Sequence, residues 1–291
     1  MKVSRARAMA LIGSAALLPQ CAGGDVIRVG SKNFTESIVI AEIYAQALEG
    51  AGMRVARRLN LGSTEIALAA LAHGDIDLYP EYTGTALIDV LHRPPLADPR
   101  AVYDAVRIAF LQQYGLVWLE PSPLDDSQAL ATTPAIARRY GLRTLSDLAG
   151  KARLLRLATI PEFITRADGL PGLQRVYGGF HFASVHVYDI ALKYRALMTG
   201  QADIATAFST DGAIATDHLQ VLIDDRHLWP PYNVAPVVRS AALKKSPRIA
   251  TILNRIAPAI TSAAAARMNA AVENQNVGPA DVAAAFLKGS P

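Results

Sequence analysis

The stretch VIRVGSKNFTESIVIAEIYAQALE, residues 26–49, holds the reading on which the fold turns. Val26 to Gly30 alternates apolar and polar positions as a strand does, and Glu36 to Glu49 carries Ile38, Val39, Ala41, Glu42, Ala45 and Leu48 in a helical rhythm. The pattern repeats outward from there. Arg54 to Leu61 reads as a strand, Thr64 to Ala72 as a helix, and Ile76 to Leu78 as a third, very short strand. Strand, helix, strand, helix predicts a parallel α/β sheet, in which ligands sit at the carboxyl ends of the strands. YPEYTGT, Tyr79 to Thr85, falls at such an end and is expected as a loop carrying two tyrosines.

Further on, an amphipathic helix fits Pro99 to Tyr114, followed by strand-like LVWLE, Leu116 to Glu120. PSPLDDS, Pro121 to Ser127, is a rigid polar connector, after which the alternation starts afresh. It runs through QALAT at 128–132, a helix near Ala135 to Tyr140, RLLRLAT at 153–159 and a helix near Leu173 to Tyr177. VHVYD at 185–189, a helical Ile190 to Met198 and DIATAF at 203–208 complete the unit. WPPYN, Trp229 to Asn233, is a second connector, and VAPVV at 234–238 leads into Ala-rich helices reaching Phe286. Two connectors bracketing an inserted unit imply a chain that leaves one lobe, builds another and returns, with a hinged cleft between them. The expected division is 25–127 with 230–291 for the first lobe and 128–229 for the second. One continuous doubly wound domain is the alternative that periodicity leaves open.

A chain of 291 residues, 51% hydrophobic and 19% charged, has the means to bury a substantial core, which argues against disorder. The net charge of +4 is small and its Lys and Arg are scattered, so no nucleic-acid partner is expected. Lys2, Arg5 and Arg7 precede an apolar run from Met9 to Leu18, and small residues follow at Ala22, Gly23 and Gly24. That layout predicts a secretory signal peptide over residues 1–24 and an exported, periplasmic product. Cys21 is the single cysteine, which excludes an intramolecular disulfide. Its place resembles the lipidated cysteine of a bacterial lipoprotein, although Gln20 is not the small residue that pattern wants.

Catalytic constellations are not evident. The six histidines show no metal-ligand spacing, no GxSxG elbow or phosphate loop is present, and no metal or other cofactor is expected. Asp125 and Asp126 are adjacent, so in extended backbone they point apart. Aromatic residues at strand exits and connectors say more: Tyr82 in YPEYTGT, Phe208 in AFSTDG and Tyr232 in WPPYN. Gathered ring faces are what a quaternary ammonium ion requires, because its methyl groups leave only ring quadrupoles to attract the charge. Packing in a core or hinge is the other reading for each ring. Lys32 in SKNFTE and Arg166 in PEFITRADG stand at strand exits where one cation from each lobe could grip a carboxylate.

GSKNFTES at Gly30, LNLGSTEIALAAL, GDIDLYPEYTGT, YGLRTLSDLA, PEF with RADGLPGL, STDG and PPYNVAPVV, in this order, resemble the substrate-binding proteins of ABC transporters for glycine betaine, choline and related quaternary-amine osmoprotectants. The resemblance covers about Val26 to Leu287. It implies a two-lobe periplasmic-binding-protein fold of type II-like build, each lobe a mixed sheet flanked by helices, with a hinge of two crossings. It further implies a monomeric binding protein that closes on a small zwitterion and delivers it to a membrane permease. By similarity, Lys32, Thr85 and Arg166 would meet the ligand carboxylate, Tyr82 and Tyr232 would supply rings, and the backbone carbonyl of Asp126 would face the ammonium.

Two positions depart from that pattern. DSQAL places Gln128 where a tyrosine is common, and Phe208 stands where a tyrosine often precedes STDG. Phe208 keeps the ring face, whereas Gln128 offers a dipole and is expected to weaken cation binding by roughly 1 kcal/mol. A more polar amine or amino-acid derivative is therefore the alternative ligand. Lys32 and Arg166 would repel choline unless a carboxylate lay between them, which favours a zwitterion. An exported enzyme using Asp126 or Glu81 as acid or base is the competing class.

Overall fold

The computed structural model describes residues 26–289, so the expected signal segment and Cys21 lie outside the described residues. Among the described residues ten strands build two sheets. In chain order they are β1 (Ile27–Gly30), β2 (Val55–Arg58), β3 (Leu78–Tyr82), β4 (Leu116–Trp118), β5 (Gln128–Thr132), β6 (Arg156–Thr159), β7 (Ser184–Val187), β8 (Ile204–Phe208), β9 (Gln220–Val221) and β10 (Val234–Arg239). The first sheet runs β2-β1-β3-β10-β4 and the second β7-β6-β8-β5-β9. In each, three parallel strands are joined by an antiparallel fourth, β10 against β3 and β5 against β8. The α/β, two-lobe reading thus describes the molecule. The chain crosses between the sheets after β4 and again before β10, and the two crossings touch at the bridge between Asp125 and Asn233.

Helices cover both faces of the first sheet. Helix α1 (Thr35–Gly50) buries Val39, Ile40, Ile43, Tyr44 and Leu48, and also Glu36 and Glu42 on its other sides. It is enclosed because the C-terminal helices Ser262–Gln275 and Pro279–Gly289 pack over it, and a helix so covered is apolar nearly all round. Helix α2 (Thr64–His73) and helix Pro99–Tyr114 cover the opposite face through Ala67, Leu71, Val102, Val106 and Phe110. Gly74 in the left-handed region, φ 87°, ends α2, and Gly115, φ 66°, ends the longer helix. Among the described residues no single helix is long and apolar enough to cross a membrane.

The strand expected over RLLRLAT begins only at Arg156, behind a 3-10 turn at Ala152–Leu154, β9 was not expected, and the third strand departs furthest from the sequence expectation. The third strand is not Ile76 to Leu78 but Leu78–Tyr82, so the first four residues of YPEYTGT are strand and not loop. Pairing with β10, from Leu78 opposite Val238 to Tyr82 opposite Val234, overrides the local turn chemistry. Pro80 is tolerated because its rung partner is Pro236, so both missing N–H groups fall at one rung of the ladder. Strand alternation then sends Tyr79 to the core under helix Pro99–Tyr114 and Tyr82 to the α1 side.

Candidate functional site

The carboxyl ends of β1, β3, β6 and β8 face a cavity of about 430 Å³ between the sheets. All eight residues singled out in the sequence, Lys32, Tyr82, Thr85, Asp126, Gln128, Arg166, Phe208 and Tyr232, line it. Lys32 follows β1, Tyr82 ends β3, Arg166 follows helix Pro161–Thr165 behind β6, and Phe208 ends β8. Asp126 and Tyr232 come from the two crossings and Gln128 opens β5. The register explains part of this gathering: Tyr82 pairs with Val234 and Phe208 with Gln128, so each sheet presents its ring where its antiparallel partner begins.

Both cations already have partners. Lys32 Nζ donates to Glu81 Oε1 at 2.7 Å and to Thr64 Oγ1 at 3.2 Å. It also lies 4.7 Å from the Tyr82 ring centroid and 5.5 Å from that of Phe34. Glu81 is fully buried and accepts further bonds from Tyr79 Oη, 3.0 Å, and Tyr82 N–H, 2.7 Å. Arg166 forks onto Asp168 at 2.8 and 2.6 Å and reaches Asp89 Oδ2 at 3.2 Å. Burial opposes the charge on Asp168, but the Arg166 fork outweighs it and holds the carboxyl below its ordinary range. Asp89, half-buried on the cavity wall, is pushed up by desolvation despite the field of Arg166.

Asp168 also anchors the second crossing, accepting from Trp229 Nε1 at 2.8 Å and from Tyr232 Oη. Tyr232 is thereby fixed at both ends, since its N–H donates to Asp125 Oδ1 at 2.8 Å. The Gln128 amide lies near this Asp168–Tyr232 pair and helps keep Asp168 ionised, yet its Nε2 has no partner at hydrogen-bonding geometry.

Behind the cavity a buried polar knot joins the lobes. Thr210, just past β8, presents its hydroxyl 2.5 Å from Glu36 Oε2 of α1 and 2.7 Å from Asp126 Oδ1. Glu36 also accepts from Tyr82 Oη at 2.8 Å and from Asn269 Nδ2 at 3.1 Å. Desolvation raises both acids, Asp126 well above the carboxylate range with added repulsion from Glu36 and Asp211.

The sequence reading did not single out Phe34, Asp89 or Tyr188 of the lining. Phe34 sat in a quoted motif, SKNFTE, whose interest lay in the neighbouring lysine; Asp89 follows YPEYTGT but meets a partner 77 positions away. Among the described residues no group of three or more His, Cys, Asp or Glu is placed to hold a metal.

Comparison with known proteins agrees with this architecture. The sequence model of the "substrate binding domain of ABC-type glycine betaine transport system" matches residues 25–289. A glycine-betaine-binding protein of Pseudomonas aeruginosa is 35% identical over 280 residues, covering 92% of this chain and 88% of its own. The glycine betaine-binding protein YehZ of Escherichia coli is 30% identical over 274 residues, 90% of each. A crystal structure described as a glycine betaine/carnitine/choline ABC transporter superposes with a TM-score of 0.74 at 31% identity, over 90% of this chain and 97% of that one. The chain belongs to the family of substrate-binding domains of ABC-type glycine betaine transport systems.

Proposed function

We propose that this chain is the extracytoplasmic solute-binding component of an ABC importer, working as a monomer with a membrane permease, and that its cleft takes a small quaternary ammonium compound such as glycine betaine. The observation that carries this is the convergence of Tyr82, Phe208 and Tyr232 from both lobes and the hinge on one cavity. Ring faces attract an alkylated ammonium by about 0.5 to 2 kcal/mol each, and only gathered rings give useful affinity. Thr85, Lys32 and Arg166 are the groups proposed for the carboxylate end, with the Asp126 carbonyl toward the ammonium. A binding protein is preferred over an enzyme. The relatives are described by their transport role, and of the two carboxylates weighed as acid or base, Glu81 is engaged by Lys32, Tyr79 and Tyr82 and Asp126 by Thr210.

A second reading has its own support. The preference for a zwitterion over choline assumed two unpaired cations, whereas Glu81 neutralises Lys32 and Asp168 with Asp89 neutralises Arg166. Glu65, held below its ordinary range by its bond from Ser63, adds an ionised carboxylate to the same cavity lining, which makes a choline-like monocation a fitting occupant. Melting curves with glycine betaine, choline, carnitine and proline betaine at millimolar concentration test both. A shift with the zwitterions alone supports the first reading, a shift with choline the second, and no shift with any removes the ligand class while leaving the fold.

A further inference from the structure

The pocket's missing ring has a replacement outside the motif that lost it. Position 128 carries an amide, but Phe34, at the start of α1, lines the same cavity from the opposite side. Phe34 is extended, φ −134° and ψ 157°, where the chain turns from β1 into the helix, and it lines the cleft while packing against the edge of the first lobe's core. The ring is partly buried. Its centroid lies 5.9 Å from that of Tyr82 in its own lobe and 6.4 Å from that of Phe208 in the other, the latter at an interplanar angle of 15°. Among the described residues it is the ring that approaches both. It also borders a second interlobe cavity of about 550 Å³, so it forms part of the partition between the two compartments. The ammonium of Lys32, 5.5 Å from its centroid, marks this ring as one already turned toward positive charge.

We propose that Phe34 is a ligand-contacting wall of the quaternary-ammonium box, doing for this chain what an aromatic residue at position 128 would otherwise do, and that it sets the preference for a charged over a neutral headgroup. The inference rests on the quaternary-ammonium reading of the cleft. A ring that merely packs would contribute shape, which charged and uncharged headgroups of one size use alike. A ring that contacts the ligand contributes its quadrupole, which only the charged one feels.

Glycine betaine and 3,3-dimethylbutanoate separate these roles, because the second replaces the ammonium nitrogen by carbon and keeps the methyl groups and carboxylate. Calorimetric titration of the wild type and Phe34→Leu with both is the test. The expected result is a loss of about 5-fold to 30-fold for glycine betaine in Phe34→Leu, with little change for the isostere whose headgroup carries no charge. Equal losses for the two, or none for either, overturn the proposal. If Phe34→Leu does not fold, Phe34→Trp keeps a ring: saturating glycine betaine should change its emission beyond the change seen in wild type, and an identical response overturns the proposal. A wild type that binds no quaternary ammonium at all is a different failure, which sinks the ligand reading and this inference with it.

Discussion

At Arg166 one guanidinium is paired with two carboxylates, and the side chain of the nearer, Asp168, is fully buried. Arg166→Met would leave that charge without compensation, while Tyr232 still bonds the carboxylate and Trp229 the backbone carbonyl of the same residue. The expected cost is about 3 to 5 kcal/mol, the range for breaking a buried pair from one side. Urea denaturation measures it, and a loss under about 1 kcal/mol would mean the fork contributes little. At position 128 the expectation is the reverse. Gln128→Tyr restores a ring face and should tighten binding of a quaternary ammonium roughly 5-fold in calorimetry; unchanged affinity would show that this side chain does not face the ligand. The eight lining residues were legible because each stands in a motif whose order along the chain is distinctive. Asp89 was not, since its meaning depends on Arg166, which reaches it from the other lobe.

The element that sequence patterning described least well, β3, is also the one that shapes the site most. Alternation reads local neighbours, and the pairing that converts YPEY into strand lies more than 150 positions away in β10. The glycine of YPEYTGT has a meaning that only this pairing reveals. A Cβ at Gly84 would stand 2.6 to 2.8 Å from Cδ1, Cε1 and Cγ of Tyr232. Tyr232 cannot retreat easily, because Asp168 holds its hydroxyl and Asp125 its N–H. Gly84→Ala should therefore displace the ring or the turn, costing about 1 to 3 kcal/mol by overpacking and reducing ligand affinity as well. Melting and titration of this variant check the pair of effects, and a change in neither would show that the ring has freedom the packing denies it.

The two lobes repeat one plan, which explains why a second strand-and-helix series was legible as a second lobe. Their sheets share an order in which β1, β2, β3 and β10 correspond to β6, β7, β8 and β5. The same clamp fixes both: Asp77 accepts Arg28 N, Nε and Nη2, and Asp203 accepts the same three atoms of Arg156, every bond at 2.9 Å. Between the lobes the knot at Thr210 could not be foreseen, because it joins α1, a crossing and β8. Its chemistry makes the assembled state titrate. Thr210 has one hydroxyl proton and lies within hydrogen-bonding distance of two carboxyl groups, Glu36 and Asp126, so the contact is complete only when one of them is protonated. Tyr82, Tyr194, Asp211 and Glu273 surround the pair, and Lys193 is taken up by Asp211. With both acids raised by burial, the folded protein holds more protons than the unfolded chain above the ordinary carboxyl range, near pH 4. Stability from the knot is thus fully present at the acid end and falls as pH rises, by up to about 1.4 kcal/mol per pH unit for one proton. Asp168, Asp77 and Asp203 act in the opposite sense, since their depressed values withdraw stability as pH falls. Asp126→Asn keeps the shape of the protonated acid without its titration, so its unfolding free energy should decline less than that of wild type between about pH 5 and 8. Denaturant titrations across that range decide it, and parallel profiles for the two proteins would mean that the knot carries no shared proton.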